Sequence, residues 1–163
     1  MKFKSTDEFM TFDFNDSLMK TIKIADDQLM FGAEGVIVKA NNSNNQRFED
    51  MFTVYLEMTF RESSISRFDE QGYKYFNANG ELLNEVPDRA LTEAEQKEVI
   101  AKINNGDAKI FLVEKCPDRE GYEIIFDVED EDEDTSVTYQ IFFDFKSSQA
   151  QWERFSGPVN EHM

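Results

Sequence analysis

Hydrophobic and polar residues alternate along several stretches of the chain. The stretches in which every second residue is apolar are 10–14, 22–24, 36–40, 52–60, 122–128 and 137–145. Successive side chains of a β-strand point to opposite faces, so each stretch predicts a strand with one buried face. The mainly apolar run at 108–113 predicts a more fully buried strand. One-sided burial is typical of antiparallel sheets, because parallel strands are usually covered on both sides.

A short internal repeat in the middle of the chain predicts two turns. The segment 68–72 (FDEQG) is followed by the similar segment 76–80 (FNANG). Asn, Asp and Gly tolerate the backbone angles of tight turns, and Asn79-Gly80 is a favoured hairpin pair. We therefore predict a three-stranded meander over residues 65–83.

Two segments have helical patterns. Thr92 and Glu95 have the spacing of a capping box, in which each side chain binds the other residue's backbone amide. An apolar stripe follows this box, formed by Ala94, Val99, Ile100 and Ile103. Together they predict a helix near 92–104. A second, shorter helix is predicted near 148–155, with Trp152 and Phe155 on its inner face and Gly157-Pro158 after its end.

The order of these elements predicts the fold class. Strands do not alternate with helices, which argues against a doubly wound α/β fold. We expect a mainly β (α+β) protein whose curved antiparallel sheet closes into a barrel or a sandwich, with the helix near 92–104 covering an end or a face. Since no linker rich in Pro, Gly or Ser divides the chain, residues 1–163 are predicted to form a single domain.

The charge of the chain changes the expected partners. The sequence has 34 Asp and Glu against 17 Lys and Arg, a net charge of −17. Such a surface repels phosphate, so nucleic acid and anionic membranes are not expected partners. A basic protein surface is the partner that this charge favours, and one form of such docking is mimicry of a phosphate backbone. The N-terminus shows no signal peptide and the chain has no long apolar run, so we expect a cytoplasmic protein.

The most acidic segment is the run at 129–134, between two predicted strands. Asp130, Asp132 and Asp134 offer oxygens at alternate positions, as calcium loops do. However, Thr135 stands where such a loop has Gly, and Ile141 stands where it has a bidentate Glu. We therefore reject an EF-hand and predict no specific metal site. The run is interpreted as a solvated loop, and weak divalent binding is left open.

The residues of common catalytic chemistry are scarce. The chain has one histidine, His162, next to its end, and one cysteine, Cys116. No intramolecular disulfide can form, and neither a Ser-His-Asp triad nor a histidine zinc site is expected. Pairs of carboxylates are inevitable among so many acids, so no pair indicates a glycosidase or another acid–base enzyme. We predict no catalytic residues and no cofactor.

Sixteen phenylalanines allow two interpretations of the interior. Many of them lie on the predicted inner faces of strands, namely Phe12, Phe14, Phe52, Phe60, Phe126, Phe143 and Phe145. They either fill an ordinary β core or line a barrel that carries a small apolar ligand. The leading expectation is an acidic, non-catalytic binding module that docks on a basic protein. The apolar-ligand carrier is the alternative, and an enzyme that works by carboxylates is the third.

Overall fold

The computed structural model describes residues 1–130 and 135–162, and most of these residues lie in strands. The strands are β1 (Phe3–Thr6), β2 (Phe12–Asp13), β3 (Leu18–Ile24), β4 (Gln28–Glu34), β5 (Ile37–Val38), β6 (Met51–Thr53), β7 (Leu56–Arg61), β8 (Ser64–Glu70), β9 (Tyr73–Phe76), β10 (Leu82–Val86), β11 (Arg89–Ala90), β12 (Ala108–Lys115), β13 (Tyr122–Asp130), β14 (Thr135–Asp144), β15 (Ser147–Trp152) and β16 (Phe155–Pro158). The helix α1 spans Glu93–Asn104, and short 3-10 turns lie at Phe9–Thr11 and Val159–His162.

The strands form antiparallel sheets, which confirms the predicted mainly β class. Ten strands pair in the order β1-β15-β7-β4-β3-β12-β13-β14-β8-β11, and β16-β6-β5-β2 form a second sheet of four. Strands β9 and β10 form a separate sheet of two. Among the described residues, the ten-stranded order ends at β1 and β11, and no sheet closes into a barrel.

One long, bent ribbon runs through the ten-stranded sheet. Arg61 of β7 pairs with Ser147 of β15, and Ser64 of β8 pairs with Asp144 of β14. The two pairs keep one register, so β7 continues into β8 opposite β14 and β15. Glu62, at the break between β7 and β8, has a φ of 48°. A non-glycine residue in this left-handed region marks a sharp local bend of the backbone.

The inner faces of the strands bury one cluster of apolar side chains. In β13 and β14 the alternate residues Ile124, Phe126, Ile141 and Phe143 are buried, as the period-two pattern predicts. Phe60 of β7 also lies within this cluster and is fully buried. Its ring centroid is 4.9 Å from that of Phe143, although four strands separate β7 from β14 in the sheet order. The sheet is therefore strongly curved.

The helix predicted near 92–104 is confirmed, together with its cap. The Thr92 hydroxyl accepts a hydrogen bond from the Glu95 amide at 3.2 Å, and the Glu95 carboxylate accepts from the Thr92 amide at 3.1 Å. Val99 and Ile103 are buried. At the other end, the Asn104 side chain binds both the N–H and the C=O of Ile22, at 2.9 and 3.1 Å. These contacts attach α1 to β3.

The short helix predicted near 148–155 is wrong. This segment forms β15, which pairs with β1 on one side and β7 on the other, and the start of β16. Trp152 and Phe155 do contact each other, with ring centroids 5.9 Å apart. They meet across the break between two strands and not along a helical face. Ser148, Gln149 and Ala150 are all buried, because β15 is an inner strand of the sheet.

The predicted strand over 52–60 is two strands in two sheets. Its first part is β6 of the four-stranded sheet, and its second part is β7 of the ten-stranded sheet. The chain bends at Val54, which is 38% exposed, and the phase of burial changes there. Thr53 is buried instead of its apolar neighbour, and its hydroxyl donates to the Val36 carbonyl at 2.8 Å. A hydrogen bond at this site satisfies the buried hydroxyl.

The meander predicted over 65–83 is correct only in its second half. Strands β9 and β10 form a hairpin, as Asn79-Gly80 indicates. Strand β8, however, pairs with β14 and β11 and not with β9. The chain thus makes no hairpin turn at Gly72, and β8 continues there into β9.

Candidate functional site

A β-hairpin stands off the ten-stranded sheet, and we call residues 73–86 the arm. It consists of β9, β10 and the turn between them, and within the described residues these two strands pair only with each other. Every residue of both strands is exposed. An isolated two-stranded hairpin is at best marginally stable in water, so the arm lacks the cover that stabilises most strands.

The arm continues the ribbon made by β8 and β11. Glu70 pairs with Arg89 in the sheet, and Tyr73 pairs with Val86 in the arm, which is the same register. The two halves meet at Gly72, where a Cβ atom would lie 1.8 Å from the Val86 carbonyl oxygen. Only a residue without a side chain allows this approach of two backbones.

The surface of the arm is unusually apolar for so acidic a protein. Its exposed large side chains, with their exposed fractions, are Tyr73 (52%), Tyr75 (54%), Phe76 (57%), Leu82 (51%), Leu83 (66%) and Val86 (37%). Contiguous exposed apolar side chains are typical of protein interaction sites. The rings of Tyr73 and Tyr75 lie 5.0 Å apart, and the neighbouring Tyr75 phenol raises the pKa of Tyr73 through its charge and a hydrogen bond.

The turn at the end of the arm is well defined by hydrogen bonds. The Asn77 carboxamide oxygen accepts from the amides of Asn79 and Glu81, at 2.9 and 3.0 Å. The Gly80 amide donates to the Asn77 carbonyl at 3.0 Å, and Gly80 has a φ of +82°. This left-handed conformation favours glycine and completes the turn. The arm therefore has a fixed register although it is exposed.

A cleft opens at the base of the arm, between the arm and β14. We call it the cleft; its volume is about 630 Å³, and its lining residues lie in the segments 70–73, 86–89 and 136–138. The Gln71 amide donates to the Thr138 carbonyl at 2.8 Å, and among the described residues no strand pairing with β14 extends past this hydrogen bond toward the arm. Beyond that hydrogen bond, residues of the arm and of the start of β14 line the two sides of the cleft.

Hydrogen-bonded polar side chains hold β8, β14 and β13 together beside the cleft. The Gln71 side chain donates to Gln140 at 3.1 Å, and Gln140 donates to the Glu123 carboxylate at 3.1 Å. Asp69 is buried, and one of its oxygens accepts from the Arg67 guanidinium at 2.5 Å. The Gln71–Gln140–Glu123 contacts join the end of β8 to β14 and β13, whereas the Arg67–Asp69 contact lies within β8.

Acidic side chains surround the single arginine at the base of the arm. Arg89 lies 3.6 Å from Glu70 and 2.8 Å from Glu95, and Asp88 accepts a hydrogen bond from the Gly72 amide at 2.7 Å. The Arg89 hydrogen bond, together with the backbone amide of Thr92, lowers the pKa of Glu95 to about 2. Glu95 thus joins the helix cap to the base of the arm.

This pKa predicts a pH dependence of stability. A carboxyl group whose pKa falls on folding stabilises the folded state above its ordinary pKa of 4.5, and this contribution is lost as pH falls toward 2. In urea denaturation, wild type should be more stable than Glu95→Gln at pH 6, and the difference should shrink between pH 4.5 and 2. Glu98→Gln on the same helix is the control. A difference that stays constant through this range would contradict the prediction.

The residues singled out from the sequence do not meet in one site. Cys116 is buried, and burial together with the Glu123 carboxylate raises the pKa of its thiol, so it is a poor nucleophile. Residues 131–134 of the acidic run lie outside the described residues, as do the side chains of Asp130 and His162. In the part of the chain that is described, no three His, Cys, Asp or Glu side chains converge as metal ligands would.

The most exposed aromatic residue among those described, Phe48, lies outside the arm. Phe48 is 90% exposed and has a φ of 61°. Its loop is held by Asn45, whose amide donates to the carbonyls of Val38 and Glu49 at 3.0 and 2.8 Å. Near this loop, burial opposes ionisation of Glu8, but hydrogen bonds from Ser43 and Ser5 outweigh it and lower the pKa of Glu8.

Sequence reasoning predicted strands in the arm but missed its exposure. The signal was the loss of alternation: Tyr75 and Phe76, and likewise Leu82 and Leu83, are adjacent apolar residues in a segment without a buried face.

Among the described residues, no helix is long and apolar enough to cross a membrane. Comparisons of the chain with protein-family models, with curated proteins and with solved structures find no match.

Proposed function

We propose that this protein is a non-catalytic binding module that docks on a basic protein surface through the arm. The exposure of six large apolar side chains on one hairpin carries the proposal. Burial of apolar surface favours association, so a partner gains affinity by covering this hairpin. A net charge of −17 attracts basic partners over a distance and repels acidic ones.

We further infer that the ten-stranded sheet is rolled into a barrel-like body, with the arm extending from it. The contact that supports this links the inner faces of two strands that are distant in the sheet order. Phe60 of β7 lies 4.9 Å from Phe143 of β14, measured between ring centroids, and four strands separate β7 from β14. A rolled sheet brings such residues together without any hydrogen bonds between their strands.

The packing of the interior argues against the alternative of a carrier for a small apolar ligand. Phe31, Phe60 and Phe126 have no exposed surface, and Phe14 and Phe143 are each 1% exposed. Their rings and those of their neighbours touch at centroid distances of 4.5–6.4 Å. A ligand cavity of about 300 Å³ would require these side chains to separate.

The proposal predicts capture that depends on the arm. The test variant carries Tyr75→Thr, Phe76→Thr and Leu83→Thr, because Thr keeps strand propensity while it removes apolar surface. Immobilised wild type should retain basic proteins from native lysate, identified by mass spectrometry, and retain less as salt rises. The arm variant should retain at least tenfold less of the same proteins.

A matched control removes exposed apolar side chains elsewhere. Met10→Thr and Phe111→Thr change residues that are 68% and 39% exposed and lie outside the arm. This control should capture the same basic proteins as wild type. Equal capture by the arm variant, or recovery of no basic protein at low salt, would refute the proposed function.

A further inference from the structure

Within the described residues, the cleft has an unpaired strand edge on each side. On one side, the first nine residues of β14 pair with β13, whereas β14 pairs with β8 only from Tyr139 onward. On the other side, β9 pairs with β10 alone in the part of the chain that the structure describes. Unpaired edges present rows of backbone donors and acceptors and are templates for another strand.

The register shows which backbone groups of β14 face the cleft. Thr138 directs its carbonyl toward β8, where it accepts from Gln71. In an antiparallel strand the N–H and C=O of one residue point to the same side, and residues two apart point alike. The pairing of β14 with β13 is regular over this stretch, so Ser136 directs its N–H and C=O into the cleft.

The dimensions and the apolar lining of the cleft suit an extended peptide. A strand rises about 3.3 Å per residue, so three or four residues would span the free part of β14. Tyr73, Val86 and Val137 line the cleft and would contact alternate side chains of such a peptide. Peptides that add to a sheet edge gain affinity from main-chain hydrogen bonds and specificity from alternate side chains.

The charge around the cleft selects a basic occupant. Glu70 and Asp88 line it, Glu129 is exposed at the end of β13 next to Ser136, and Arg89 is already paired with Glu70 and Glu95. A second copy of this chain would bring another net charge of −17 to the same place. Repulsion between like-charged copies disfavours that occupant.

We propose that the cleft binds an extended, basic segment of the partner protein by β-strand addition to the Ser136 edge of β14. This inference rests on the proposed function and specifies how the partner binds. Lysine or arginine side chains of the added strand pair with Glu70, Asp88 and Glu129. Its apolar side chains contact Tyr73 and Val137, and the arm covers its outer side.

The test uses three synthetic peptides with acetylated and amidated ends. The peptide KVRVKVR has the alternation and the charge that the cleft requires. The peptide KVRPKVR keeps the charge but lacks the central backbone donor, and EVEVEVE keeps the alternation with opposite charge. By fluorescence anisotropy at low salt, KVRVKVR should bind wild type at least tenfold more tightly than either of the others.

Two protein variants locate the binding at the strand edge. Ser136→Pro removes the N–H that faces the cleft and spares the ladder with β13, whereas Ser136→Ala keeps that N–H. KVRVKVR should bind Ser136→Ala as it binds wild type and bind Ser136→Pro at least tenfold more weakly. In wild type, hydrogen exchange should slow at the Ser136 amide when the peptide is added, a readout that needs no variant.

The outcomes separate this inference from the proposed function. If KVRPKVR binds as tightly as KVRVKVR, or if Ser136 gains no protection, strand addition is wrong and the peptides bind by charge alone. Absence of KVRVKVR binding also overturns it. If capture of basic proteins still requires the arm, the proposed function stands and the partner docks on the arm without adding a strand. If the arm variant captures basic proteins as well as wild type does, or if wild type captures none, the proposed function itself is refuted.

Discussion

Replacement of Phe60 by Ala is expected to lower the free energy of unfolding by about 3–5 kcal/mol. Phe60 is fully buried, and its ring contacts those of Phe9, Phe143 and Phe145 at centroid distances of 5.5, 4.9 and 4.7 Å. These partners come from different parts of the chain. The cavity left by the ring cannot be filled by one of them without moving a strand, so most of the transfer and cavity cost is retained.

Urea denaturation followed by circular dichroism measures this change, and Phe48→Ala is the matched control. Phe48 is 90% exposed, so removal of its ring should change stability by no more than about 0.5 kcal/mol. Similar losses for the two variants would mean that Phe60 does not lie at the centre of the core.

Replacement of Gly72 by Ala is expected to release the arm from the body. The new Cβ would lie 1.8 Å from the Val86 carbonyl oxygen and 2.5 Å from the Pro87 carbonyl carbon. Both are backbone atoms, so neither can rotate away. Overpacking of this kind costs about 1–3 kcal/mol. The strain is relieved if the arm separates at its base, which would speed amide exchange in the arm roughly five- to 150-fold.

Hydrogen exchange resolved by residue checks this prediction, with Gly80→Ala as the control. Gly80 also lies in the arm, and nothing lies within 4 Å of a Cβ built there. For an alanine at this position, the positive φ of +82° costs only about 1–2 kcal/mol, and this strain is confined to the turn. Gly72→Ala should therefore speed exchange at the base, near Tyr73 and Val86, whereas Gly80→Ala should act at the turn. Unchanged exchange at the base would show that the two backbones separate easily.

The best sequence predictions concern segments whose local pattern agrees with their tertiary surroundings. In β13 and β14 one face meets the core and the other is more exposed, so alternation alone located both strands. The capping box of α1 consists of contacts within four residues, which explains why Thr92 and Glu95 could be identified without the fold. The acidity of the chain and its scarcity of His and Cys likewise required no structure.

The failures occur where burial does not follow a single period. In β15, Ser148, Gln149 and Ala150 are consecutive buried residues, since strands pack on both sides of β15 and other elements cover it. The spacing of Trp152 and Phe155 then resembled a helix. At Val54 the chain passes from one sheet to another, and a change of sheet leaves no mark in an alternating sequence.

The candidate site was the least predictable part. The sequence indicated a hairpin at Asn79-Gly80, but it also placed β8 beside β9 as a meander. Strand β8 instead pairs with an edge of β14, a strand that lies about seventy residues later in the chain. The apolar residues of the arm remain exposed because, among the described residues, β9 and β10 pair only with each other.

The strand-rich class, the capped helix, the hairpin turn and the acidic character of this protein can all be predicted from its amino-acid sequence. These depend on backbone preferences and on charge, which act between residues close in the chain or on the chain as a whole. Which strands pair, which apolar residues stay uncovered and where two free edges meet became known from the three-dimensional fold. Strand partners are chosen by the burial of surfaces that lie far apart in the chain, and no local pattern records that choice.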